Sequence, residues 1–154
     1  MRTKIGLEKK MAGQIPKTTR SKILIVEDDE MMAAVYKRLF LREDDRYICT
    51  LERTAEDAIG ALRRDQADIL ILDWDLPGIS GLQLLDAIRA TRSTRLLPII
   101  VVSGRSGIEE RIHALKRGAN DFLSKPFDVH ELLSRLQVLL RRSEIEGKTR
   151  PPVP

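Results

Sequence analysis

From residue 22 onward, short apolar runs without alternation are interleaved with longer stretches of helical period. The runs "KILIVE" (22–27), "YICTL" (47–51), "DILILD" (68–73), "PIIVVS" (98–103) and "DFLSK" (121–125) predict five strands. Continuous β-branched and leucine runs suit strands buried on both faces, because successive side chains point to opposite sides of a sheet. The intervening spacing predicts helices over about 29–43, 54–65, 81–92 and 107–117, with a last one over about 128–142. Thr54 with Asp57 three residues on makes a capping-box-like start, Asp128 is placed to cap the last helix, and Gly118 stops the fourth. In the last helix Val129, Leu132, Leu133, Leu136 and Leu140 form one apolar stripe, read as core.

This alternation predicts an α/β fold, a doubly wound parallel sheet with helices on both faces and right-handed crossovers. Ligands in such sheets bind beyond the carboxyl ends of the strands. The first strand there ends at Glu27 and Asp28, the third at Asp73, the fourth at Ser103 and the fifth at Lys125 before Pro126. Each alone is an ordinary polar strand end. Together they bring carboxylates, a hydroxyl and an ammonium to one rim.

Composition narrows the setting. The 154 residues suit one domain with a sizeable core. No apolar run of membrane-spanning length and no secretory leader is present, so a cytoplasmic protein without membrane association is expected. The lone cysteine, Cys49, lies in an apolar stretch and reads as a structural thiol. The net charge of +4 is unevenly placed: residues 1–22 carry seven basic residues and one acid, and 143–154 carry two of each, leaving the globular part about −2. The organisation expected is a basic, disordered leader (1–21), a domain (22–142) and a polar, proline-rich tail or linker (143–154). Met11 is an alternative start. No direct nucleic-acid binding by the domain is expected.

The clustered acids carry the chemistry. Carboxylates crowded together repel, which raises proton affinity unless a cation intervenes. A few hard oxygen ligands suit Mg²⁺, which favours a phosphate as co-ligand. Asp73 then fits a carboxylate nucleophile toward phosphorus, with Lys125 neutralising phosphoryl oxygens and Ser103 donating a hydrogen bond. His113 and His130 fall on helices and read as surface residues.

The motifs "VEDD", "LILDWDLPGISGLQLL", "VVSG" and "GANDFLSKPF" resemble the receiver domain of two-component response regulators over residues 22–142. The resemblance implies a flavodoxin-like (βα)5 sheet in the order 2-1-3-4-5. It implies a phosphoryl-accepting switch rather than an enzyme, with Asp73 the acceptor for a sensor histidine kinase or histidine phosphotransfer protein. Mg²⁺ (or Mn²⁺) would be held by Glu27, Asp28, Asp73 and the backbone carbonyl of Asp75, and Asp29 matches an additional acid often found there. Ser103 and Phe122 match the family's switch pair, Phe122 replacing the commoner tyrosine. The Lys125–Pro126 bond is expected to be cis, aiming the ammonium at Asp73. Asp75 and Arg105 occupy positions that tune dephosphorylation in the family. The last helix resembles those of winged-helix regulators, which implies either a single-domain regulator or the receiver of a longer one. That class also implies a phosphorylation-dependent homodimer, with Arg111 facing Glu131 and Asp121 facing Arg135 across the two-fold axis, while Asn120 stands where an acid would meet Arg142. "DWDLP" is also similar to the D-x-D start of haloacid-dehalogenase-type phosphatases, but those place it on the first strand and their acid pair last.

Overall fold

The computed structural model describes residues 19–105 and 107–149, with side chains as far as 146. The element order is β1 (Ser21–Val26), α1 (Glu30–Arg42), β2 (Tyr47–Glu52), α2 (Ala55–Arg64), β3 (Ile69–Asp73), α3 (Gly81–Ala90), β4 (Ile99–Ser103), α4 (Ile108–Lys116), β5 (Asp121–Ser124) and α5 (Val129–Thr149). The five strands pair in parallel in the order β2-β1-β3-β4-β5.

The unalternating apolar runs are explained by two cores, one on each side of the sheet. Ile69 and Ile71 of β3, with Ile23, Ile25, Ile100 and Val102, pack on Tyr36, Leu39 and Phe40 of α1 and Leu132, Leu136 and Leu139 of α5. Leu70 and Leu72, with Leu24, Val26, Ile99 and Val101, pack on Ala55 and Ala58 of α2, Leu84, Leu85 and Ile88 of α3 and Ala114 of α4. Strand period two therefore sends the apolar residues of β3 and β4 alternately into the two cores, while Asp73 and Ser103 end these strands as buried polar groups.

Side chains punctuate the helices. Thr54 accepts from the Asp57 N–H at 3.1 Å, and Asp128 accepts from the His130 N–H at 2.8 Å. Asp29 caps α1 by accepting from the Met31 N–H at 2.8 Å. Ser80 and Gln83 form a reciprocal capping box at the start of α3, which the sequence reading did not anticipate. Gly118 follows α4 at φ +110°, a conformation that a side chain would strain.

The expected linker needs correction. Helix α5 continues to Thr149, so 143–149 are helical rather than a loose tail. Glu144, Ile145, Glu146 and Lys148 are compatible with helix, and the prolines that cannot continue one begin only at Pro151. Residues 1–18 of the expected leader, the alternative start at Met11 and residues 150–154 lie outside the described residues. No described helix is long and apolar enough to cross a membrane.

Candidate functional site

Backbone bonds extend the ladder one residue past three strands and fix the site residues there. The N–H of Glu27 donates to Glu52 O at 2.9 Å, that of Trp74 to Val102 O at 3.0 Å, and that of Lys125 to Ser103 O at 2.8 Å. Glu27, Asp28, Asp73, Ser103 and Lys125 consequently meet at the carboxyl rim of β1, β3, β4 and β5. Glu27, Asp73 and Ser103 are buried, Glu27 being only 1% exposed.

One oxygen from each of Glu27, Asp28 and Asp73 lies within 4.8 Å of the others. A single ammonium stands among them: Lys125 Nζ is 2.8 Å from Glu27 Oε1 and 3.4 Å from Asp73 Oδ1. Its closer partner is thus Glu27, not the Asp73 at which the sequence reading aimed it. The Lys125–Pro126 peptide is cis. Glu27 Oε2 is buried with no hydrogen-bond partner among the described residues. An orphaned buried carboxylate oxygen is costly, and three carboxylates, once all are ionised, against one ammonium leave an excess close to the charge of a divalent cation. The donor set, all oxygen, fits a hard cation such as Mg²⁺.

Electrostatics express the same imbalance. Burial, then the contact with Asp73, pushes the Glu27 carboxyl up to about 8, although Lys125 pulls it down. Burial works against the Lys125 ammonium, but its hydrogen bond to Glu27 and the charge of Asp73 leave its pKa raised. Burial, and then the charges of Glu27 and Asp73, also hold the Tyr36 phenol above its ordinary value.

Around this centre the other expected residues fall as follows. The N–H of Asp75 donates to Asp73 Oδ1 at 3.2 Å, and the Asp75 carboxylate pairs with Arg105 at 3.2 Å. Ser103 Oγ accepts from the Arg105 N–H at 3.0 Å. Phe122 is buried, and its position 52 residues along from Leu70 is reached by packing in the same core as that strand. Asp29 stands apart, its side chain spent on capping α1.

The residues expected at a dimer interface are engaged within the chain. Arg135 pairs with Asp121 and with Glu131, each at 2.8 Å. Arg111 donates to Phe122 O at 3.4 Å and lies 6.0 Å from that ring's centroid. Asn120, an exposed residue, accepts from the Ile99 N–H at 2.8 Å and from Arg89 at 3.0 Å. Arg89 also donates to Gly118 O and Leu97 O, a bracket that sequence reading missed because Gly118 and Asn120 lie 29 and 31 positions along the chain. His113 is exposed as expected, yet it packs on Trp74.

Comparison with known proteins agrees with this geometry. The response regulator receiver domain family matches residues 23–137. The phosphate regulon transcriptional regulatory protein PhoB of Rhizobium meliloti is 39% identical over 125 residues, covering 81% of this chain and 54% of that protein. The response regulator MprA of Mycobacterium ulcerans is 34% identical, covering 81% of this chain and 52% of that protein. The chain thus spans about half the length of the curated relatives it matches. Among solved structures, a response regulator from Chloroflexus aurantiacus superposes with TM-score 0.75 at 31% identity, covering 80% of this chain and 99% of its own. The receiver domain of a Pseudomonas aeruginosa sensor histidine kinase, with a magnesium ion coordinated in its active-site cleft, gives 0.72 at 30% identity over 79% of this chain and 98% of its own. The sheet order, the acid cluster at the strand ends and these matches together make this chain a member of the response regulator receiver domain family of two-component systems.

Proposed function

We propose that the domain is a phosphoryl-accepting switch whose acceptor is Asp73. The observation that carries this reading is the buried carboxylate cluster balanced by one ammonium, with Glu27 Oε2 left orphaned. Asp73 Oδ1 is held by Lys125 and the Asp75 N–H, which fixes one oxygen and leaves the other to attack phosphorus. The new P–O bond forms as the donor's P–N bond breaks, the donor being a histidine kinase or histidine phosphotransfer protein. No general base is needed, since an ionised carboxylate is the nucleophile. Lys125 faces the charge accumulating on the phosphoryl oxygens, and Ser103 is placed to hydrogen-bond to one of them. Phe122 packs behind and carries the change outward.

Glu27, Asp28, Asp73 and the Asp75 carbonyl would hold Mg²⁺ or Mn²⁺. Bound there, the ion supplies positive charge against the transferring phosphoryl group. Metal binding is tested through Trp74, the only tryptophan and the neighbour of Asp73. Titration with Mg²⁺ should change its fluorescence saturably, and Asp28→Ala should weaken that response more than Glu27→Ala. Equal, non-saturating responses in all three proteins would reject the metal site.

The output surface proposed is α4, β5 and α5, used by a second copy of the chain after phosphorylation. Ile108, Ile112 and Leu115 leave an exposed apolar stripe along α4, beside the charges of Arg111, Asp121, Glu131 and Arg135. The intrachain pairs of Arg135 would be shared across the interface. Exposed pairs contribute only about 0.2–1 kcal/mol each, so the apolar stripe supplies the larger share. Light scattering with and without beryllofluoride checks it; a monomer at high micromolar concentration in both states rejects the dimer. Relatives of twice the length make control of an attached transcriptional output the broader role proposed.

A further inference from the structure

Trp74 follows Asp73 directly; it belongs to the core on the α2–α4 side of the sheet, and its indole also reaches α4. It is 8% exposed, set edge-on to the imidazole of His113 on α4, with ring centroids 6.2 Å apart and planes 72° apart. This lies within the attractive range for an aromatic pair. The backbone beneath is held from two sides. The Trp74 N–H donates to Val102 O on β4 at 3.0 Å, and the Gly81 N–H at the start of α3 donates to Trp74 O at 3.2 Å. A displacement at Asp73 therefore meets fixed backbone on β4 and α3, and the indole offers a route onward to α4.

His113 is itself held in place. Arg117 Nε donates to His113 Nε2 at 3.4 Å, and the same guanidinium pairs with Asp86 of α3 at 3.2 Å. Helix α4 thus meets the site at two points: Arg111 over Phe122, and His113 against Trp74. The first belongs to the switch already described. The second is independent of Ser103 and Phe122, since it begins at the residue covalently next to the acceptor.

We infer that the Trp74–His113 ring contact couples the state of Asp73 to the placement of α4, with His113 acting as a positioning residue. This rests on phosphoryl acceptance at Asp73. A ligand shifts a conformational equilibrium only through contacts that differ between the two states. Phosphorylation adds bulk and charge one residue from the indole, so the ring pair is a contact able to differ. An aromatic pair of this kind moves an equilibrium by roughly two- to twelvefold. Coupling is reciprocal, so whatever grips α4 changes the affinity of Asp73 for a phosphoryl mimic.

The test measures hydrogen exchange of the α4 amides, 108–116, with and without beryllofluoride and Mg²⁺, in the wild type, His113→Ala and His113→Phe. Intact mass after a small phosphodonor reports acceptance in parallel. His113 is exposed, so both variants should fold. The expected result is that all three proteins accept the phosphoryl group. The α4 exchange response falls at least twofold in His113→Ala and returns in His113→Phe, which keeps a ring and loses the hydrogen bond from Arg117. Acceptance with an unchanged α4 response in His113→Ala would overturn the inference and leave the proposed function standing. A His113→Phe protein as defective as His113→Ala would overturn it too, by tracing the effect to the Arg117 bond. A wild type that neither accepts the group nor binds beryllofluoride would overturn the proposed function, and this inference with it.

Discussion

Replacing Gly81 by alanine sets two effects of known sign against each other. Gly81 is the first residue of α3 and adopts no positive φ, so alanine suffers no backbone strain there and gains helix propensity, at most about 1 kcal/mol and less in a first turn. Against this, the new methyl would run into the Asp73 carbonyl and lie 2.9 Å from Trp74 Cα and 3.0 Å from Trp74 O. These neighbours are backbone, held by the Trp74–Val102 and Gly81–Trp74 hydrogen bonds, and cannot swing aside like a flexible side chain. Overpacking of this kind costs about 1–3 kcal/mol, so the clash wins. For a domain of this size the loss corresponds to a Tm lower by roughly 2–10 °C. Urea denaturation of the two proteins measures it as a lower midpoint at unchanged slope. Because the residues pushed are Asp73 and Trp74, phosphoryl labelling from a small donor should also slow, on the order of tenfold, as expected for a misplaced reacting group. A Gly81→Ala protein as stable as the wild type, labelled at the wild-type rate, would refute the reasoning that α3 braces the acceptor.

Two further outcomes follow from the packing and the chemistry. Arg89→Ala removes a guanidinium that donates to Gly118 O, Leu97 O and Asn120 Oδ1, and should lower stability by about 2–3 kcal/mol; Arg105→Ala breaks only an exposed pair and should cost less than about 1 kcal/mol, so equal midpoints in urea would contradict the bracket. Burial pushes the Cys49 thiol up to about 11; the thiolate is the reactive form, so alkylation should keep accelerating up to about pH 11, and a plateau near pH 9 would contradict that burial.

How much of this was legible in the sequence differs by kind of contact. The five strands and the rim residues Glu27, Asp28, Asp73, Ser103 and Lys125 were readable because a strand buried on both faces leaves an unbroken apolar run, and such a run ends where polar groups begin. The cap formed by Asp29 shows the limit of that reading. Three neighbouring acids look alike in sequence, but Glu27 and Asp28 join the cluster while Asp29 serves α1. The length of α5 was misjudged because polar residues after an apolar stripe resemble a linker, while nothing before Pro151 forbids helix. The Arg89 bracket and the Trp74–His113 contact join residues 29 and 39 positions apart. No local period encodes such pairs; they exist only once the sheet order is set. Asn120 was read only as an interface position, and its amide oxygen also joins the segment before β5 to the start of β4 and to Arg89 of α3.

The central claim is that Asp73 receives the phosphoryl group. Incubation with a small-molecule phosphodonor and Mg²⁺, followed by intact mass measurement of the wild type, Asp73→Asn and Asp29→Asn, tests it most directly. One added phosphoryl mass on the wild type and on Asp29→Asn, and none on Asp73→Asn, is the result predicted. Labelling of Asp73→Asn to the wild-type level would contradict the account.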